Sequence, residues 1–274
     1  MAKLIFNTYL KYKFWYRNHT RFMSQVKTAG IIIIGDEILK GHIIDTNSKY
    51  MTTRLHKLGV RCKKISVIGD DIDEISNEVQ AFSQRYDYVI TTGGIGPTHD
   101  DVTFEAVAKA CNEPIILHPE LVKLCVDFYK TEDVNSPGMK LARVPKSAIL
   151  TFVDDKSGSN KKSYPNVSIR NIYMFPGIPQ LFEKAFDILG AELFKSSDKF
   201  YTKVVYFNVT EEKIANALMA VTQQHPDVVI GSYPEMFNNS YKVKITIEST
   251  IKEKVENAYD RLLRIVPKES IVDI

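Results

Sequence analysis

Ala29-Gly30-Ile31-Ile32-Ile33-Ile34-Gly35 is the stretch that decides the fold. Four consecutive isoleucines leave no polar face, so a strand built from them is buried on both sides. That is the habit of a central strand in a parallel sheet covered by helices. Downstream, Lys49–Leu58 places Met51, Leu55 and Leu58 at helical spacing, and Gly59 closes the helix as a left-handed cap. Val60–Ile68 reads as a second strand. Residues 71–84 carry Ile72, Ile75, Val79 and Phe82 on one helical face. Tyr86–Thr92 (YDYVITT) is a third strand, and a helix follows with Phe104, Val107, Ala108 and Cys111 inward. This alternation predicts an α/β fold, a parallel-type sheet with helices on both faces.

The pattern loosens after this unit. Residues 118–130 read as a helix. Ser147–Val153 and Val167–Phe175 read as two strands around the polar loop DDKSGSNKKSYPN. PGIP at 176–179 opens a helix with Leu181, Phe182, Ala185 and Ile188 inward. From about residue 195 the order becomes β-α-β-β-α: strands at Val204–Val209, Asp227–Ser232 and Lys242–Glu248, helices at Glu211–Gln224 and Lys252–Ile265. The clean alternation of YKVKITIE predicts a small α+β module with one solvated sheet face. KSSDK falls in a boundary at 192–202. The expected organisation is a leader over 1–28, an α/β domain over 29–195 and an α+β module over 196–274.

The chain has 274 residues, 44% hydrophobic and 25% charged, which excludes general disorder and a disulfide-stapled miniprotein. Three cysteines without zinc spacing suit free thiols in a reducing compartment. The net charge of +3 hides an asymmetry. Six of the 36 basic residues lie in residues 1–30, which hold no acid, so the rest carries 30 basic against 33 acidic residues. A mildly acidic body argues against a dedicated nucleic-acid binder. The longest uniformly aliphatic run, Ile31–Ile34, is far below the ~20 residues of a membrane span. The basic, aromatic leader is similar to a mitochondrial transit segment, although it is not serine-rich. A leader with no address is the other reading, so matrix and cytoplasm both stay open.

Two segments carry the chemistry. In Thr91-Thr92-Gly93-Gly94-Ile95-Gly96-Pro97-Thr98-His99-Asp100-Asp101, three glycines allow positive φ and close backbone approach, and their N–H groups can form an anion nest. A helix starting near Asp101 points its positive end at the same place. Either acid could instead be a plain N-cap. Two carboxylates beside a phosphate nest repel the phosphate, and a divalent cation held by Asp100 or Asp101 resolves the conflict. The second segment, Gly35-Asp36-Glu37 through Asp45-Thr46-Asn47-Ser48, adds carboxylates and donors for phosphate or ribose at the end of the first strand. Asp45 or Thr46 could instead simply cap a helix. Asp70-Asp71 reads as a helix start.

GDEILKGHIIDTNS (35–48) and TTGGIGPTHDD (91–101) closely resemble the paired motifs of the molybdopterin-binding, MoaB/Mog-like domain in its CinA subfamily. FPGIP (175–179) resembles a third motif and MKLARVP (139–145) a fourth. VVIGSYP and YKVKITIES look like the corresponding part of eukaryotic FAD synthases, and the likeness covers roughly residues 28–268. The resemblance implies metal-dependent hydrolysis of a nucleotide pyrophosphate: FAD to FMN and AMP, or ADP-ribose as in CinA relatives. Gly93, Gly94, Gly96 and Pro97, with Gly177 of the third motif, would cradle the substrate. Asn47, Ser48 and Thr98 would position it. Asp45, Asp100 and Asp101 would hold Mg, Mn or Co, with Asp101 also catalytic, and Asp36 or Glu37 would orient water. A flavin-nucleotide or pterin-binding module without turnover is the rival, and molybdenum cofactor assembly a third reading. Related folds imply a homo-oligomer. In FAD synthases an adenylating domain follows this module; the sequence ends at Ile274, so FAD synthesis is not expected of it.

The leader carries no strand–helix pattern joined to the core. A chain beginning at Met23 is expected to keep the melting temperature and activity of the full chain. A large loss of either would show that residues 1–22 pack on the body.

Overall fold

The computed structural model describes residues 26–152 and 163–274. Most of the leader, and most of the loop expected over 154–166, lie outside the described residues. The first domain begins with β1 (Thr28–Ile34), the single-turn α1 (Asp36–Leu39), α2 (Asn47–Lys57), β2 (Arg61–Ile68), α3 (Ile72–Arg85), β3 (Tyr88–Thr92) and α4 (Thr103–Cys111). It continues through β4 (Ile115–Leu117), α5 (Pro119–Tyr129), a 3-10 turn at Pro137–Ala142, β5 (Arg143–Pro145) and β6 (Ile149–Thr151). β7 (Asn166–Ile169), β8 (Ile172–Phe175) and α6 (Pro179–Leu193) complete it.

Six strands form one sheet in the order β2-β1-β3-β8-β7-β6. The first four run parallel, and β7 and β6 add antiparallel pairs. The isoleucine run sits near the middle, and its side chains alternate between two cores. Ile32 and Ile34 pack with Val79, Phe82, Phe104, Val107 and Leu121 of α3, α4 and α5. Ile31 and Ile33 pack with Met51 and Leu55 of α2 and Phe182 and Phe186 of α6. Gly59 takes φ +76 after α2, the left-handed cap of the sequence reading.

Three local expectations are corrected. Val167–Phe175 is a hairpin, not one strand: Arg170 turns at φ 55. The Asn171 amide fixes that turn by donating to the Ser83 and Tyr86 carbonyls at 3.0 and 2.9 Å. Two polar residues inside an apolar run thus mark a reversal. On α6 the buried stripe is Phe182, Phe186 and Leu189, whereas Leu181 and Ile188 are 54% and 44% exposed. The stripe is rotated because Phe182 and Phe186 join Phe175 and Phe194 in a ring cluster with centroids 5.3–5.6 Å apart. Ile72, at the first turn of α3, is partly exposed rather than inward.

The second module comprises β9 (Tyr201–Phe207), α7 (Glu211–Gln224), β10 (Val229–Pro234), β11 (Val243–Ser249), α8 (Lys252–Ile265) and a short β12 (Ile271–Val272). Its strands form a separate antiparallel sheet, β10-β11-β9-β12. Val243, Ile245 and Ile247 of β11 face Ile214 and Val221 of α7 and Val255 and Leu262 of α8, while the residues between them stay half-exposed. Among the described residues, no helix is long and apolar enough to cross a membrane.

The rotated stripe can be tested directly. Phe186→Ala is expected to cost about 3–5 kcal/mol in urea unfolding, the usual price of emptying a buried aromatic site. Ile188→Ala should cost no more than about 1 kcal/mol.

Candidate phosphate-binding site at the carboxyl edge of the sheet

Parallel strands end at one edge, so the loops after β1, β2, β3 and β8 meet there. Backbone bonds join them: Gly35 N donates to Ile68 O at 3.0 Å, and Gly93 N to Phe175 O at 3.2 Å. Asn47, buried at the start of α2, donates its amide to Thr92 Oγ1 at 3.1 Å and to Gly177 O at 2.9 Å. Thr92 Oγ1 in turn donates to Pro176 O at 2.9 Å. Asn47 Oδ1 is buried without a protein partner. An acceptor in that state asks for a donor from a ligand or water.

Gly93 has φ +105 and Gly94 φ +60, both in the region that favours glycine. A Cβ on Gly93 would collide with the Ile34 carbonyl, so the loop lies flat on the end of β1. The third glycine serves differently: Gly96 has ordinary φ, and a Cβ there would press into the Asp101 carboxylate. Gly93 spends its N–H on β8. The N–H groups of Gly94, Ile95 and Gly96 donate to no other described residue. Thr103, first residue of α4, clamps the loop by donating Oγ1 to Gly93 O at 2.8 Å and N to Gly94 O at 3.1 Å.

The acids divide by what they already hold. Neither Asp100 nor Asp101 caps α4, whose N-cap is Val102 with no side-chain cap bond. Asp101 Oδ2 accepts Thr98 N at 2.8 Å and Thr98 Oγ1 at 2.5 Å, closing the turn over 98–101. Lys140 braces that turn by donating to Thr98 O at 2.7 Å and His99 O at 3.4 Å. Asp45 accepts Ser48 N, in the first turn of α2, at 3.0 Å and also the Ser48 hydroxyl, so it uses up the hydroxyl expected to face a substrate. Asp36 pairs with Lys40 at 2.8 Å, and that hydrogen bond and charge hold its carboxyl below the usual range. A lowered pKa makes Asp36 a poor proton acceptor. Exposed Glu37 folds back beneath Gly35. Pro97, Thr98 and Asp100 line the exposed outer rim of the loop.

Asp71 is the helix start expected, accepting Asp73 N and Glu74 N at 2.9 and 2.8 Å. Asp70 is not. Its Oδ2 accepts Asp36 N at 2.9 Å, and its Oδ1 lies 3.6 Å from where a Cβ of Gly94 would stand. Asp70, Thr103 and Lys140 are the site residues that sequence reasoning missed. Among the described residues, no three acidic, histidine or cysteine side chains are placed to hold a metal ion between them.

Residues 30–196 match the family model described as a probable molybdopterin binding domain. The chain belongs to this family. Residues 199–274 match the FAD synthase middle domain, so the two matches meet within three residues of each other. A Caenorhabditis elegans protein named "Probable FAD synthase" is 41% identical over 253 residues, 85% of this chain and 49% of the relative. The chain therefore spans about half the length of that relative. An Archaeoglobus fulgidus protein is 35% identical across 83% of this chain and 93% of its own length. A CinA-like protein of Thermotoga neapolitana is 27% identical over 87% of this chain and 58% of its own. Among solved structures, CinA of Thermoplasma acidophilum, titled as of unknown function, superposes with TM-score 0.54 at 25% identity. That superposition covers 62% of this chain and 99% of that one. The family's fold and the mixed sheet above agree.

Gly93→Ala is expected to destabilise the domain by more than about 1 kcal/mol, because alanine meets both the positive φ and the Ile34 carbonyl. Thermal or urea unfolding measures it; a loss no larger than for Gly41→Ala, where a Cβ would meet nothing, would refute the close-packing account.

Proposed function

We propose that the chain is a metal-dependent nucleotide pyrophosphatase that cleaves FAD to FMN and AMP. The observation that carries this reading is the glycine loop itself. N–H groups of Gly94, Ile95 and Gly96 that donate to no other described residue lie close to the start of α4 in a rim of carboxylates. Such N–H groups and a helix N-terminus attract phosphate. The relatives named FAD synthase supply the substrate expectation, with ADP-ribose the alternative nucleotide.

The donor set fits a hard divalent ion, Mg, Mn or Co, held partly by substrate. Among the described residues no three side chains enclose an ion alone, so such an ion would rest on one or two carboxylates completed by phosphate oxygens and water. Asp101 through its second oxygen, with Asp100, would hold it; Asp45, with both oxygens on Ser48, fits less well. Once bound, the ion supplies charge neutralisation of the pyrophosphate. The chain's own part is alignment. Gly94 and Gly96 fix one phosphate, Asn47 presents an acceptor beside Gly177, and Thr98 holds the Asp101 turn.

Incubating the purified protein with FAD and each metal, then separating FMN and AMP, tests the reading. Tight flavin-nucleotide binding without either product would favour the binding module. Asp101→Asn is expected to lower metal-dependent turnover by at least ~10²-fold, the scale of losing one strong electrostatic stabiliser. Asn keeps an acceptor for Thr98, so stability should change by no more than ~1 kcal/mol. Full turnover in this variant would remove Asp101 from the metal site.

A further inference from the structure

Asp70 differs from Asp36, Asp45 and Asp101 in what it holds. Asp36 is neutralised by Lys40, the Asp101 oxygen that faces Thr98 holds two donors, and Asp45 is saturated by Ser48. Asp70 holds one backbone N–H, and no lysine or arginine among the described residues lies in ion-pair range. Its other oxygen lies 3.6 Å from where a Cβ of Gly94 would stand, beside the first glycine N–H that donates to no other described residue. It is half-buried, where bulk salt screens it poorly. Asp36, Glu37 and Asp100 add like charge around it, while Lys140, bonded to the Thr98 and His99 carbonyls, keeps its charge and sets it against Asp100.

We propose that Asp70 sets the selectivity of the nest, barring a bare phosphate and admitting one that arrives with a divalent cation. The inference rests on the nest being a phosphate site, as in the proposed function, but not on turnover. A phosphate seated on Gly94 N meets a carboxylate that has no ion-pair partner among the described residues. The cost disappears when a cation stands between them. The site thus prefers a metal–pyrophosphate pair to the free anion, whatever follows chemically. Consistent with an uncompensated charge, burial pushes the Asp70 carboxyl above its usual range, and the carboxylates of Glu37, Asp36 and Asp100 add to the shift.

The test is inorganic pyrophosphate binding to the full chain by calorimetry, with and without Mg²⁺. Wild type should bind pyrophosphate weakly alone and more tightly with Mg²⁺. Asp70→Asn keeps the acceptor for Asp36 N and removes the charge. Its metal-free affinity should rise by roughly two orders of magnitude, the effect of one charge about 5 Å away at an effective dielectric of ~20. Asp70→Ser should move the same way, and Asp227→Asn in the second module should change nothing. A raised pKa means the charged form burdens the fold. Asp70→Asn should therefore melt no lower than wild type at neutral pH, and any gain should fade as pH falls into the carboxylate range. Equal metal-free affinities in wild type and Asp70→Asn would overturn the proposal. So would an equal rise in Asp227→Asn, or wild-type binding indifferent to Mg²⁺. Failure of every form to bind pyrophosphate would overturn it together with the phosphate reading of the nest. FAD cleavage on the same preparations keeps the two ideas apart: the expected binding pattern without FMN and AMP would strike the hydrolase reading alone.

Discussion

The contact on which the site depends is the seating of Gly93 on the end of β1. With no side chain, its backbone comes so close to the Ile34 carbonyl that a Cβ could not fit. Gly177 packs against its Cα from the other side. Three strand ends are thereby drawn together, and the following N–H groups are turned outward instead of into the sheet. Asn47 secures this seating: one amide spans Thr92 of β3 and Gly177 beyond β8. Thr103 clamps it from α4. The nest is held by packing and neutral hydrogen bonds, not by the charges around it.

That division of labour frees the carboxylates. A nest built from acids would lose its shape when one was neutralised. Here the acids with structural bonds, Asp45 and Asp101, close short turns and leave the glycine backbone alone. Asp36 is balanced by Lys40 within a single turn. The net effect is a donor-rich floor under an acidic rim.

Much of this was readable from residues. Four isoleucines between glycines fixed a strand buried on both faces, and the helices of the second module, Glu211–Gln224 and Lys252–Ile265, fall where their apolar spacing places them. The glycine loop announced itself by composition. What could not be read was long-range. Arg170-Asn171 turns because Asn171 finds carbonyls of Ser83 and Tyr86 nearly ninety residues earlier. The α6 stripe follows a ring cluster that includes Phe175 from a strand. Asp70 and Asp71 look alike as neighbours, yet one caps its own helix and the other bonds Asp36 across the sheet edge. Lys140 reaches a turn some forty residues before it. Each is a tertiary choice between local roles that the sequence permits equally.

The second module enters this balance through α2. Eleven residues at 1.5 Å each make a rod of about 16 Å. Asn47 stands at its first residue and His56 near its last. His56 Nε2 lies 2.7 Å from Glu248 of β11, and its ring stacks on Phe200 at 4.5 Å. Beyond the helix, Ser196 Oγ donates to Gly59 O at 3.0 Å, and the Asp198 carbonyl packs so close to Gly59 that no Cβ could stand there. The rod is therefore fixed at both ends, by the strand-end loops at Asn47 and by the second module at His56 and Gly59. The contacts of the second module and the seating of the glycine loop are thus two constraints on one short helix.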